Sequence, residues 1–469
     1  MDYREHQLCD VGIALMTLSL HHAEVTLRRN VRRSCRTKLA SAWSCVMFAS
    51  ALASGAAIAA PDEDALGRSE GYPCRKHVDE PILGDKYSVC TNSNWDAVFA
   101  AARVKAPLVA RPLIDDPNAP AIRWQQGPSG SSLSVEDFLQ LQPITGMLIL
   151  QGDHIAFERY QYDRKSDQKF TSFSMAKTLT GLLVGAALKD GAIRSLDDTA
   201  GQYVPELRES AYAEVTIRNL LHMGSGVKWD EGPSVMMGSD IVRRFTDATL
   251  RRKGAGGAST VNWLKDSMSP QGTRFNYAGP DTEVLALVVR SATGKPLSQY
   301  LSEKIWAPMG AEGDASWVTD RAGVEIGYAF FNARLRDYGR LGLFLAEDLT
   351  RGDQSAVTQE FLLDATSADR QPDYLKPRMV SRRYFGYGYQ IWLLPYKTRT
   401  FALVGSYGQR VIVQPEHRVV IAYTSAQRTQ SATADIFRQE IAFVDGVLRS
   451  LGAAADLLPM PGAVASAAH

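Results

Sequence analysis

The pattern of apolar and polar positions is most regular after Pro143. There the runs Gly146–Gln151 and His154–Tyr160 flank Gly152-Asp153, which predicts a tight β-hairpin. A mainly apolar segment follows from Ser174 to about Asp190 and is stopped by Gly191, which predicts a helix; Gly181 and Gly185 on it predict close packing. A long middle region rich in Gly, Met and Trp reads as helices and loops. Towards the end, Tyr387–Leu393, Phe401–Val404, Arg410–Val413 and Val419–Tyr423 predict successive antiparallel strands, and residues 432–451 predict a closing amphipathic helix. Strands at both ends with helices between them predict an α+β domain over residues 141–451. Its antiparallel sheet would bring the first and last strands together, flanked by helices and carrying a mostly helical insertion.

The flanks read differently. Residues 60–140 have the character of a separate lead-in, with a helix predicted from Trp95 to Val104 and a polar linker at Asp115–Pro120, and residues 452–469 read as a flexible tail. Residues 1–59 include the basic stretch Arg28–Lys38, an uncharged Ala-rich stretch from Leu39 to Ala60 and a small-residue exit at Ala57-Ile58-Ala59. That order predicts a secretory signal peptide cleaved after Ala59 rather than a retained anchor, because Ser and Gly interrupt the apolar run. The stretch before Arg28 fits no part of such a signal. The expected location is periplasmic or secreted, with no stable membrane span after cleavage.

Composition narrows the options. The chain of 469 residues is 45% hydrophobic and 22% charged, an ordinary globular balance. Removal of residues 1–59 leaves 45 basic and 47 acidic residues, so no basic surface points to nucleic acid. It also leaves Cys74 and Cys90, which in an exported chain predict a disulfide. No Cys/His spacing resembles a zinc site, and neither metal nor cofactor is implied.

Candidate chemistry centres on Ser174-Met175-Ala176-Lys177. A serine three residues before a lysine puts both on one helix face, a nucleophile beside a base. The same spacing occurs at Ser166/Lys169, in a polar stretch, and at Ser225/Lys228, in a glycine turn; only Ser174 opens an apolar segment that would desolvate the amine. Tyr277, in Arg274-Phe275-Asn276-Tyr277, stands before a helical run and is a candidate proton carrier. Leu403-Val404-Gly405-Ser406-Tyr407-Gly408-Gln409 is a strand ending in a glycine-flanked turn, where a backbone N–H has room to approach a substrate.

In this order the three segments resemble the serine β-lactamase and penicillin-binding-protein superfamily, and most closely its class C-like branch of esterases, D-amino-acid peptidases and 6-aminohexanoate-dimer hydrolases. The resemblance implies a β-lactamase/transpeptidase-like fold. Ser174 would be the acylated nucleophile, Lys177 its base and Tyr277 the proton relay, with the N–H groups of Ser174 and Ser406 as the oxyanion hole. Gly279, Gly405, Tyr407 and Gln409 become candidates for the substrate pocket. His222 lies in a turn that the family uses structurally and receives no catalytic role. Two positions depart from the pattern: Gly279 stands where Asn or Ser is usual, and Leu403 where Lys or His usually holds a substrate carboxylate. Expected substrates are therefore small linear esters or amides. A peptidoglycan-directed D-peptidase or β-lactamase and a non-catalytic sensor on the same fold remain the alternatives.

Overall fold

In the computed structural model the described residues are 60–76, 86–127, 130–230, 240–249, 252, 256–352, 355–381, 383–429 and 433–459. The expected signal peptide lies outside them. Four strands precede residue 140: β1 (Ala101–Val104), β2 (Ile114–Asp115), β3 (Arg123–Gln125) and β4 (Ser132–Ser134). The hairpin around Gly152 follows as β5 (Ile144–Gln151) and β6 (His154–Tyr160), then β7 (Lys169–Thr171). β8 (Ala315–Val318) and β9 (Phe331–Arg334) interrupt the helical middle. The last five are β10 (Gly386–Tyr387), β11 (Trp392–Leu393), β12 (Phe401–Gly405), β13 (Gln409–Gln414) and β14 (Val419–Ser425). Four helices frame the site: α1 (Ala176–Lys189), α2 (Gly279–Thr293), α3 (Leu335–Ala346) and α4 (Ala434–Ser450).

The main sheet runs β10-β11-β12-β13-β14-β5-β6-β2. β14 pairs antiparallel with β5 from Val419↔Gln151 to Ser425↔Ile144, so the first and last long strands meet as the sequence predicts. Successive strand side chains face opposite ways. Leu148 and Leu150 accordingly join one core with Leu182 of α1 and Leu341 of α3, whereas Met147 and Ile149 join another with Phe443 and Val447 of α4. Both faces of the sheet are thus covered. Gly185 of α1 lies against Val357 and Phe361, the close packing its size allows.

Several expectations need correction. The sheet is not single: β1-β8-β9-β7 form a second one and β3-β4 a third, and β2 joins the main sheet in parallel. Trp95–Val104 is not one helix. It stops after Val98, Phe99 is extended, and Ala101–Val104 pairs with the free edge of β8, a tertiary contact that overrides the helix propensity of an alanine-rich run. Tyr387–Leu393 is not one strand either. Gln390 sits at positive φ with its side chain buried against the helix Ile217–Leu221, which folds the segment into the β10-β11 hairpin.

Residues 60–140 are not set apart, since they supply strands to all three sheets, and Trp124 is buried against Phe138 and Phe443. Nor do residues 452–459 form a loose tail. Ala453 and Ala455 are buried, and the Leu458 N–H donates to the Pro395 carbonyl at 2.7 Å. Among the described residues no helix is long and apolar enough to cross a membrane.

Cys74 and Cys90 are disulfide-bonded, as predicted. The bond clamps the short helix Ser88–Thr91. Closing a loop of this length stabilises a fold by about 3 kcal/mol. A Cys74→Ser/Cys90→Ser variant is expected to lose about that much in urea unfolding; an unchanged midpoint would mean that the loop is held by its other contacts.

Candidate active site

Ser174 owes its position to the three residues before it. The Thr171 N–H donates to the Asn92 carbonyl at 2.8 Å, and the Ser172 N–H to the Phe331 carbonyl at 2.6 Å. The Ser172 hydroxyl donates to the Phe173 carbonyl and accepts from the Phe331 N–H. Phe173 then adopts a left-handed φ of 43° and starts the 3-10 turn Phe173–Met175 that leads into α1. Such a backbone costs a non-glycine residue on the order of 1–3 kcal/mol, which surrounding packing must offset. The packing is aromatic: the Phe173 ring lies 5.5 Å from Trp95, 5.9 Å from Phe330 and 5.1 Å from Tyr407. Phe330 and Tyr407 are themselves at positive φ. Strain is concentrated around Ser174, and Trp95, from the segment expected to be a mere lead-in, sits at the centre of the rings that hold it. From Phe170 to Ala187 every residue is buried except Ser174.

Lys177, one turn further on, is only 3% exposed, below that opening. Its Nζ stands 3.5 Å from Ser174 Oγ and donates to the Tyr328 carbonyl at 2.9 Å. It also lies 5.0 Å from the centre of the Tyr277 ring and 5.2 Å from that of Tyr328. Ser174, Lys177 and Tyr277, chosen from sequence, therefore converge. The 3.5 Å separation is a loose contact of the kind that tightens when substrate binds. Tyr277 is half-buried, packed against Phe275 and Trp392. Asn276 does not replace the side chain missing at Gly279, because its amide donates to the Trp229 carbonyl.

The glycine-flanked turn arrives from β12. A Cβ on Gly405 would collide with the Ser172 carbonyl oxygen, so only glycine lets this turn lie directly beside the turn that carries Ser174. Ser406, like Ser174, is partly exposed between buried neighbours. The three other pocket candidates are buried. Gln409 is 1% exposed and donates to the carbonyls of Ser406, Tyr407 and Ser425 while accepting from the Ser425 N–H. Tyr407 is 6% exposed within the aromatic cluster, and Gly279 is buried as the first residue of α2. Leu403 faces the core. Arg410, a cation near it in sequence, points the other way and pairs with Glu440 of α4 at 2.9 Å.

Other residues of the site left little trace in the sequence. Asp281 and Glu283, in the first turns of α2, are 0% and 1% exposed. Asp281 Oδ1 accepts from Tyr212 at 2.7 Å and from Ser225 at 2.8 Å, which assigns the Ser225 turn a structural task. Burial pushes Asp281 up to about 7 and Glu283 up to about 8, although hydrogen bonds and the Lys177 charge pull both down. An unfolded chain would titrate both near 4. The folded state thus binds more protons between pH 4 and 8, so these groups make stability fall as pH rises through that window. Asp281→Asn with Glu283→Gln is expected to flatten the decline in urea midpoint between pH 5 and 8.5; an identical slope would show that the carboxyls ionise normally. His222 is buried, and desolvation followed by the Arg218 charge lowers its pKa to about 3, in keeping with a structural role. Among the described residues no cluster of His, Cys, Asp and Glu is placed to hold a metal ion.

An antiparallel sheet covered on both faces, with a serine–lysine pair opening its buried helix, is the architecture of the penicillin-binding-protein and β-lactamase superfamily. The chain belongs to the beta-lactamase family of hydrolases, whose family model matches residues 138–443, more than half of its length. Among curated proteins, the 6-aminohexanoate-dimer hydrolase of Paenarthrobacter ureafaciens is 24% identical over 350 residues, covering 74% of this chain and 88% of that protein. A solved structure from Bacillus anthracis, described as a candidate 6-aminohexanoate-dimer hydrolase, has a TM-score of 0.67 at 22% identity and covers 80% of this chain and 96% of its own. The octameric penicillin-binding protein homologue of Pyrococcus abyssi has a TM-score of 0.52 at 17% identity, covering 68% of this chain and 76% of its own. At such identities the structural likenesses show the fold.

Proposed function

We propose that the protein is an exported serine hydrolase that cleaves an amide or ester of a small linear substrate through an acyl-enzyme on Ser174. The observation that carries this reading is the single opening in the buried stretch from Phe170 to Ala187, at a serine whose Oγ stands 3.5 Å from a buried lysine amine. Lys177 takes the Ser174 proton as Oγ attacks the substrate carbonyl. The N–H groups of Ser174 and Ser406 stabilise the oxyanion. Tyr277 carries the proton to the leaving amine or alcohol, and water then attacks the acyl-enzyme by the reverse route. The Cys74–Cys90 disulfide supports the exported reading, since such bonds persist in oxidising compartments. N-terminal sequencing of the mature protein is expected to begin at Ala60.

Substrate class follows from what faces away. Leu403 is apolar and Arg410 is committed to Glu440, so neither supplies the cation that holds a carboxylate in β-lactamases and D-peptidases. A lost charge-assisted hydrogen bond weakens recognition by about 1.5–3 kcal/mol. The similarity to 6-aminohexanoate-dimer hydrolase supports a linear amide instead. Purified protein is expected to turn over p-nitrophenyl esters and linear amides and to hydrolyse nitrocefin slowly. Rapid nitrocefin hydrolysis, lost in Ser174→Ala, would move the assignment to a β-lactamase or D-peptidase.

A further inference from the structure

Lys177 does not hold its position alone. Its Nζ donates to the Tyr328 carbonyl, and Tyr328 belongs to a loop, Ile326–Phe330, outside regular structure. The residue before it is gripped twice. The Gly327 N–H donates to Glu283 Oε2 at 2.9 Å, and the Gly327 carbonyl accepts from the Thr180 hydroxyl at 2.7 Å. Thr180 lies on α1, one turn after Lys177, and Glu283 on α2, the helix that follows Tyr277. Gly327 is pressed so closely onto α2 that a Cβ would collide with Ala286.

We propose that Glu283 is a positioning residue of the active site: by holding the Gly327 N–H it fixes the Tyr328 carbonyl, and with it the direction in which the Lys177 amine points at Ser174. This inference rests on the acyl-enzyme reading. Glu283 acts at a distance from Ser174, through the backbone of Gly327 and Tyr328. A buried carboxyl without such a task is costly. Here it is buried and accepts from the N–H of Gly327, the same residue whose carbonyl accepts from Thr180 of α1. The Tyr328 hydroxyl is tied to Thr249, which anchors the far end of the same residue.

The test compares wild type with Glu283→Leu, Glu283→Gln and Thr180→Val, reading kcat and KM on a p-nitrophenyl ester and the rate of covalent labelling by a fluorophosphonate. An ångström of misplacement at a catalytic group lowers rates by up to about 100-fold. Glu283→Leu is expected to lower kcat and the labelling rate by about 10- to 100-fold with KM within about twofold. Glu283→Gln, which keeps an acceptor for the Gly327 N–H, should restore most of the rate at pH 7. Thr180→Val should lower kcat by a smaller factor, and carries the test if Glu283→Leu does not fold. Equal labelling of wild type and the folded variants would overturn the positioning role. So would a Glu283→Gln variant as slow as Glu283→Leu. Absence of labelling in wild type itself would instead remove the acyl-enzyme on which the inference stands.

Discussion

Ser174→Ala is expected to abolish covalent labelling by a fluorophosphonate and to lower turnover by about 10⁴- to 10⁶-fold, because removing one member of a nucleophile–base pair disables the whole unit. The fold should be untouched. Ser174 is partly exposed and its hydroxyl lies within hydrogen-bonding distance of Lys177, while alanine suits the start of a helix. Lys177→Ala should be nearly as inactive for a different reason: the serine stays in place but nothing takes its proton. That variant also strips the Tyr328 carbonyl of its donor, so a stability loss of about 1–3 kcal/mol is expected beside the lost activity. Intact mass after labelling, read beside a thermal melt, separates the two effects. A single adduct on wild type and none on either variant, with both folded, is the expected pattern. Normal ester turnover by Lys177→Ala would remove lysine from the mechanism, and a labelled Ser174→Ala would place the nucleophile elsewhere.

Glu440→Leu is expected to be the most destabilising single exchange far from Ser174, at about 3–5 kcal/mol. Arg410 is 3% exposed and Glu440 4%, so neither charge has water to fall back on. Burial works against the Arg410 charge, but the Glu440 carboxylate outweighs it and holds the guanidinium protonated. Without Glu440 a buried cation remains, and arginine cannot shed its proton to escape. The double exchange Arg410→Met/Glu440→Leu should recover most of the stability, as apolar replacement of a whole buried pair commonly does. It should not recover activity in full. Arg410 also donates to the carbonyls of Gly405 and Gln409, at either end of the turn that presents Ser406. Urea unfolding and labelling rates on the same three proteins test both halves. A Glu440→Leu loss below about 1 kcal/mol would show that the pair is not needed for stability.

These two sites differ in how far they could be read from the sequence. Ser174, Lys177 and Tyr277 stood out because nucleophile and base are one helical turn apart and the tyrosine lies in a loop that ends at a helix, both local relations. The β5–β6 hairpin, β12 to β14 and α4 were legible for the same reason: their period of apolar positions is carried by consecutive residues. What misled was equally local. Tyr387–Leu393 has the composition of a strand, and only the buried amide of Gln390, reaching the carbonyls of Leu220 and Leu221, shows why it bends. Gln409 and Tyr407 border the turn that carries Ser406, and the family resemblance made them pocket candidates. Their side chains face inward because the turn itself has carbonyls and rings that need partners.

The amino-acid sequence by itself determined most of the elements, a serine–lysine pair one helical turn apart and the absence of a cation at Leu403, since each depends on residues within a few positions of one another. Tertiary structure alone decided what braces them. Asn92 and Trp95 hold the Ser174 turn from about 80 residues upstream, and Tyr328 receives the Lys177 amine from 151 residues downstream. Glu440, on α4, claims Arg410 of β13. Such partners satisfy buried hydrogen bonds and charges, and the need for them arises only when the chain has closed around the site and removed water. No spacing along the chain records where that closure brings them.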